Sequence, residues 1–171
     1  EIVFHLHPNL LDSAIAVTDL TVDSAAAATT LSGEARSILT VALPAPLPPG
    51  QMVTIDLRFR TEVATEIGRN YGVLAYTDGI LALAHFYPML SVYNDEGWNV
   101  TAPDIQGDLT YSDAGFYLVQ VTAPDDVVLV ATGSEIDRSS GVGTQTVTYA
   151  LGPARDFYLA AGDFTEVSAT T

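Results

Sequence analysis

Cysteine and lysine are both absent from the 171-residue sequence, and each absence excludes a class of chemistry. Without cysteine, the chain has no disulfide framework and no thiolate ligand for a metal ion. Without lysine, it has no P-loop and no Schiff-base nucleophile. The six basic residues are all arginines and face 21 acidic residues, so the net charge is −15. A chain this acidic repels phosphate backbones and anionic lipid surfaces, so we expect no nucleic-acid partner and no membrane insertion.

Familiar catalytic motifs are missing as well. The sequence contains neither H-E-x-x-H nor G-x-S-x-G. The segment GVGTQT, which starts at Gly141, begins like a dinucleotide-binding fingerprint but lacks the third glycine and leads into a predicted strand. We therefore assign no catalytic residue to this chain.

The chain has three histidines, which are the remaining candidates for metal binding or acid–base chemistry. His5 and His7 are two positions apart on a predicted strand, so they share one face at a chelating spacing. Because no third ligand is close in sequence, two polar residues on a solvated face are the favoured interpretation. His85 lies in the apolar run ILALAHFYP and is predicted to be partly buried and hydrogen-bonded. We assign no metal ligand here.

Residues 94–113 are predicted to form the main irregular loop, and they are rich in carboxylates. The spacing fits no EF-hand, so a calcium site, a glycosidase-like carboxylate pair and a merely solvated acidic loop remain open. The single tryptophan, Trp98, lies in this stretch. We predict that its ring is an anchor that ties the loop to a sheet or to a neighbouring domain. The acidic residues concerned are Asp95, Glu96, Asp104, Asp108 and Asp113.

The dominant hydrophobic period is two, which indicates β-strands. In QMVTIDLRFRTEV, apolar residues from Val53 to Phe59 alternate with polar and charged ones. The segment ARSILTVAL, residues 35–43, is predicted to be its neighbour, with a proline-rich turn between them. Many short strands with glycine and proline punctuation predict an all-β, multi-stranded antiparallel sandwich or a related multi-sheet domain. The further predicted strands are Ile2–His7, Ala14–Val22, Tyr71–Tyr76, Ile80–Phe86, Met89–Tyr93, Phe116–Thr122, Val127–Thr132, Gln145–Ala150 and Asp156–Ala161. Ala25–Ala28 is the one plausible helix.

The length predicts a single β-domain over residues 1–171. The sequence starts with Glu1 and enters a predicted strand at once, and it stops in the β-prone segment FTEVSATT. We therefore predict that the chain is a fragment of a longer polypeptide, and a mature, processed protein is the alternative. An extracytoplasmic or secreted location is favoured over a cytoplasmic one.

Several segments, taken in order, resemble the N-terminal β-domain of the aminopeptidase N family of zinc metallopeptidases, which also includes the leukotriene-hydrolysing enzyme. EIVFHLHPN is similar to its opening strand, and VALPAPLPPGQMVTIDLRFR is similar to its strand–turn–strand pattern. YPMLSVYNDEGWN resembles an aromatic–proline step that a bacterial branch carries. GDLTYSDAGFYLVQVTAPDDVVLVATG resembles the strand pair that follows along the sheet, and ARDFYLAAGDF is similar to the strand that leads toward the catalytic domain.

This resemblance implies a non-catalytic, saddle-like β-domain that supports a catalytic domain and walls the substrate cleft. The zinc, its two histidine and one glutamate ligands and the general-base glutamate would lie in that domain, C-terminal to residue 171. The chain alone would bind no cofactor and cleave nothing. Its partners would be its own C-terminal catalytic domain and, through the parent protein, a peptide substrate.

One position departs from the family pattern. Many members place a Glu or Gln about nine residues before the proline that matches Pro88, where it holds the free amine of the substrate. Here that position is Gly79, beside Asp78. The departure puts ordinary aminopeptidase specificity in doubt. The candidates for the substrate cleft or the interdomain surface are Asp78, Tyr87, Asp95 and Trp98.

Two other interpretations stay open. The chain fits a secreted β-sandwich binding module that recognises carbohydrate or protein through Trp98 and exposed tyrosines. It also fits a purely structural domain without any peptidase. A parent sequence without zinc ligands would favour one of these two.

Overall fold

The structure is a computed structural model that describes residues 1–104 and 111–165. Nearly every regular element is a strand, so the predicted all-β class with several antiparallel sheets is confirmed. Two short 3₁₀ helices, His7–Leu10 and Glu34–Arg36, are the helical elements of the described residues. No helix in these ranges is long and apolar enough to span a bilayer.

The strands are β1 (Ile2–His5), β2 (Ala14–Val22), β3 (Ala25–Ala26), β4 (Thr29–Ser32), β5 (Ile38–Val41), β6 (Ile55–Glu62), β7 (Leu74–Thr77), β8 (Ile80–Leu83), β9 (Met89–Leu90), β10 (Tyr93–Asn94), β11 (Gly97–Trp98), β12 (Gly115–Pro124), β13 (Val128–Ala131), β14 (Ser134–Ser140), β15 (Thr144–Ala154) and β16 (Leu159–Gly162).

The strands form two halves, each with its own apolar core. In the first half, the sheet β4-β5-β1-β9 and the sheet β3-β2-β6 share a core that includes Phe4, Ile15 and Val41. In the second half, the sheet β13-β16-β8-β7 and the sheet β12-β15-β14 share a core around Phe157 and Val147. The hairpin β10–β11 attaches to the first half through Trp98, which packs against that core.

The two halves meet along a seam that has an apolar part and a polar part. A small cluster there is built on Leu11 and Leu74, both almost fully buried. The polar part of the seam holds His5 and His7 from the first half and His85 from the second. The chain's histidines therefore lie where its halves join.

The predicted helix at Ala25–Ala28 is wrong. Asp23 and Ser24 have positive φ values of 48° and 69°, and they form a two-residue turn that folds the chain back. Ala25 and Ala26 then pair with β2 as strand β3. Four alanines are too few to form a stable helix nucleus, so the hairpin pairing prevails over their intrinsic helix propensity.

The predicted pairing of residues 35–43 with the Val53–Phe59 strand is also wrong. Strand β5 pairs with β1 and β4, whereas β6 pairs with β2 in the other sheet of the first half. The proline-rich segment between β5 and β6 carries the chain from one sheet to the other. Alternation identifies the strands but not their partners, because it reports only which face is buried.

The stretch 94–113 is not wholly irregular. Its first residues close the β10–β11 hairpin, with Tyr93 paired to Trp98 and Asn94 paired to Gly97. Residues 95 and 96 form the exposed tip of that hairpin. Asp108 lies outside the described residues.

Candidate functional site

Trp98 is held in place from both sides of its strand. Its ring meets that of Tyr93 edge-on, with 5.1 Å between ring centroids, and it packs against the core of the first half. The next carbonyl, that of Asn99, accepts hydrogen bonds from His5 Nε2 at 2.9 Å and from Ser91 Oγ at 2.5 Å. The predicted role of the tryptophan as an anchor for its loop agrees with these contacts.

Tyr87 belongs to a row of aromatic rings in the second half. Its hydroxyl accepts a hydrogen bond from the Phe157 N–H at 3.0 Å, and its ring meets Phe86 and Tyr117 edge-on. Burial, together with the neighbouring Tyr117 hydroxyl, raises the pKa of the Tyr87 hydroxyl above its usual range. Tyr87 therefore stays neutral and orients the start of the segment that enters β16.

The two acidic candidates occupy hairpin turns. Asp78 and Gly79 both have positive φ, 52° and 79°, and they join β7 to β8 in a two-residue turn. This is the Asp-Gly pair that a type I′ turn favours, so the local backbone accounts for both residues. Asp95 lies at the exposed tip of the β10–β11 hairpin. Within residues 1–104 and 111–165, no hydrogen bond, ion pair or ring contact joins any two of Asp78, Tyr87, Asp95 and Trp98.

The structure brings together the three histidines, which the sequence does not connect. The rings of His5 and His7 stack with 5.2 Å between centroids, and His85 meets His7 at 5.5 Å. His85 Nε2 lies 3.4 Å from a carboxylate oxygen of Asp156. All three imidazoles are buried. The predicted burial of His85 is confirmed, whereas the favoured solvated face for His5 and His7 is wrong because both rings are buried in the seam.

The seam keeps its innermost imidazole neutral. Burial, followed by the neighbouring His85 and His5, lowers the pKa of His7 to about 3. Burial also lowers the pKa of His5, and the hydrogen bond to Asn99 opposes that effect only partly. His7 Nδ1 is buried and has no hydrogen-bond partner among the described residues.

These imidazoles do not fit a zinc ion. His5 commits one ring nitrogen to a carbonyl oxygen, and it is stacked face to face on His7 rather than converging with it on a common point. In the part of the chain that the structure describes, no group of three histidine or acidic residues is arranged to hold a metal. The seam is thus a polar junction between the halves.

One face of the second half presents apolar side chains to solvent. Strand β12 lies at an edge of its sheet, and its sequence GFYLVQVTAP contains no charged residue. Phe116 and Leu118 are 85% and 74% exposed on its outer face. The opposite edge, β14, carries Glu135, Asp137 and Arg138 and a bulge, which are ordinary protections against edge pairing. Strand β12 ends in Pro124, and a bulge interrupts the start of its pairing with β15, but its middle residues carry no charge. This edge and its apolar face form what we call the β12 surface.

Comparisons with known proteins agree with this architecture. The chain is similar to the M1 zinc metallopeptidase from Deinococcus radiodurans, with a TM-score of 0.64, 18% identity and coverage of 94% of this chain. A mutant of that enzyme matches with a TM-score of 0.61 and 17% identity. A mutant bound to a Tyr-Ser-Ala substrate matches with a TM-score of 0.57 and 18% identity.

The similarity is one of fold, and it covers only part of each solved chain. This chain spans about a third of the length of those solved chains, 34% in the first comparison. No family model and no curated protein matches the sequence. The fold that the sequence resemblance implied is therefore confirmed.

Proposed function

We propose that this chain is the non-catalytic β-domain of a zinc metallopeptidase, and that it supports a catalytic domain elsewhere in the same polypeptide. The observation that carries the proposal is the asymmetric coverage, 94% of this chain against 34% of the M1 zinc metallopeptidase. Coverage of nearly all of this chain but only a third of a peptidase is what one domain of that enzyme would give.

The chemistry of the described residues is compatible with a supporting role. The histidines are buried where the two halves meet, and the acidic candidates lie in exposed turns. Peptide hydrolysis would then depend on zinc held by residues outside this chain, where the metal would activate a water molecule. Asp78, Tyr87, Asp95 and Trp98 remain our candidates for the cleft wall or the interdomain surface.

The β12 surface gives a catalytic domain a place to bind. Large exposed apolar side chains on an uncharged edge strand favour aggregation of a free domain. A neighbouring domain that covered them would prevent this. The rest of the chain is strongly acidic, so this neutral region is a surface on which a second domain avoids repulsion. We therefore propose that the catalytic domain covers Phe116 and Leu118.

The function is tested on the full-length protein encoded by the source gene. We expect about one zinc ion per polypeptide by elemental analysis, and release of amino-terminal residues from short peptides that a chelator abolishes. A full-length protein without zinc and without peptidase activity would overturn the proposal. The binding-module interpretation would then be the favoured one.

Binding of the catalytic domain to the β12 surface is tested separately, with the double substitution Phe116→Ser and Leu118→Ser in the full-length protein. Loss of a buried apolar contact should speed protease cleavage between the domains by about tenfold. The matched control is Val142→Ser, in the β14–β15 turn, which removes an equally exposed apolar side chain away from the β12 surface. Equal cleavage rates for the double variant and the control would rule out docking at β12.

A further inference from the structure

A groove of about 490 Å³ opens in the first half, between strands β2 and β4. Its size lies within the range of small-ligand and peptide pockets, about 300–1,000 Å³. The two strands belong to different sheets, and the chain crosses from one sheet to the other at Ala27 and Ala28. The lining is mixed. Polar residues, Asp19 and Arg36 among them, lie beside aliphatic ones, which include Leu6, Ile15, Val17, Leu20, Leu31 and Leu39.

One wall of the groove is an unpaired strand edge. Strand β4 ends its sheet, and the Ala42 N–H donates to the Ala28 carbonyl at 2.9 Å, so Ala28 faces β5. Because successive residues of an antiparallel strand alternate in direction, Thr29 and Leu31 point their N–H and C=O groups away from β5. Both residues line the groove. The sequence TTLS has no charge and no proline to protect this edge.

The opposite wall also offers backbone groups. The Ile15 N–H leaves the β2–β6 ladder and donates to Asn9 Oδ1 at 2.9 Å. By the same alternation, Val17 directs its N–H and C=O away from β6. Strand β3 covers this edge of β2 at Thr21 and Val22, and the Ala27 N–H donates to the Leu20 carbonyl at 3.4 Å. Among the described residues, the backbone groups of Val17 on β2 and of Thr29 and Leu31 on β4 are therefore left without a strand partner along the groove.

Arg36 also lines the groove and supplies its positive charge. Four arginines, Arg58, Arg60, Arg69 and Arg138, make ion pairs with carboxylates. Arg36 has no ion pair within residues 1–104 and 111–165. Its backbone is fixed, because its N–H donates to the Gly33 carbonyl at 3.2 Å and its carbonyl accepts from Asn9 Nδ2 at 3.1 Å.

We propose that this groove binds the carboxyl-terminal segment of an extended peptide, which adds to the free edge of β4 and places its terminal carboxylate against Arg36. Backbone edges select an extended chain, since strand addition satisfies their donors and acceptors in a regular ladder. The aliphatic lining accepts alternate apolar side chains of the peptide. The guanidinium prefers a carboxylate, which it can bind through two parallel hydrogen bonds. The proposal does not depend on the peptidase assignment.

The test uses two fluorescein-labelled pentapeptides of sequence Val-Thr-Val-Thr-Val, one with a free carboxylate and one amidated. Fluorescence anisotropy with the 171-residue chain measures both affinities. We expect the free acid to bind at least about tenfold more tightly, since a charge-assisted hydrogen bond is lost on amidation. Arg36→Gln should remove the difference between the peptides. Arg155→Gln, at an exposed arginine outside the groove, is the matched control and should leave the difference unchanged.

A second variant tests the strand edge itself. Thr29→Pro removes an N–H that points into the groove but leaves the β4–β5 ladder intact, so both peptides should bind it more weakly. Equal affinity of the two peptides for the unsubstituted chain, or no binding at millimolar concentration, would overturn the proposal. So would self-association of the chain in sedimentation that Thr29→Pro abolishes, because a second copy would then be the occupant of the groove.

Discussion

Lowering the pH from 7 to 4 is expected to reduce the free energy of unfolding by about 3 kcal/mol through His7 alone. Its pKa is about 3 in the folded chain and 6.5 when unfolded. Between these values the unfolded state binds more protons than the folded state, so stability falls as the pH drops. Each pH unit below 6.5 costs about 1.4 kcal/mol. Above about pH 8 the imidazole is neutral in both states and contributes no slope.

Urea unfolding at pH 7 and pH 4 measures this effect, with His7→Gln as the comparison. The glutamine variant should lose about 3 kcal/mol less than the unsubstituted chain over this interval. Asp12 and Glu135 have pKa values lowered by Arg69 and Arg138, so they add an acid-dependent loss that both proteins share. Identical losses in the two proteins would show that His7 is not buried in its neutral form.

Replacing Phe157 by alanine is expected to destabilise the chain by about 4 kcal/mol. This ring is only 1% exposed, and it lies between Tyr117 and Tyr149 at centroid distances of 6.5 and 6.3 Å. Truncation leaves a cavity that these neighbours fill only partly. For a chain of this size, the thermal midpoint should fall by about 8–16 °C.

The matched control is Phe116→Ala, which removes the same atoms from a ring that is 85% exposed. Most exposed substitutions change stability by less than about 0.5 kcal/mol. Scanning calorimetry on both variants gives the comparison. If the two substitutions lowered the midpoint equally, the core of the second half could not be centred on Phe157.

The sequence predicted several strands from the alternation of apolar and polar residues. The predicted bounds Ala14–Val22 are those observed for β2, and alternation also identified the strand that contains Phe59. Strand β14 was missed, since SEIDRSS has one apolar residue and every position is exposed. Such an edge strand is specified by its partner β15 rather than by its own pattern.

The histidine seam could not be predicted from spacing. His7 and His85 are 78 positions apart, and they meet only because β1 and β8 belong to different halves that join there. An apolar run around His85 indicated burial, but nothing local indicated its neighbours. The groove was missed for a similar reason, because a free edge is a property of strand order and not of a strand.

The seam also places a titratable group beside the packing that connects the two halves. Leu83 and Phe86 pack both against the cluster of Leu11 and Leu74 and against the core of the second half, so apolar contact continues from the seam into that half. His7 lies at the same junction, with 5.5 Å between its ring centroid and that of His85. A proton on His7 would put a charge between the halves, so acid unfolding is expected to begin where they join.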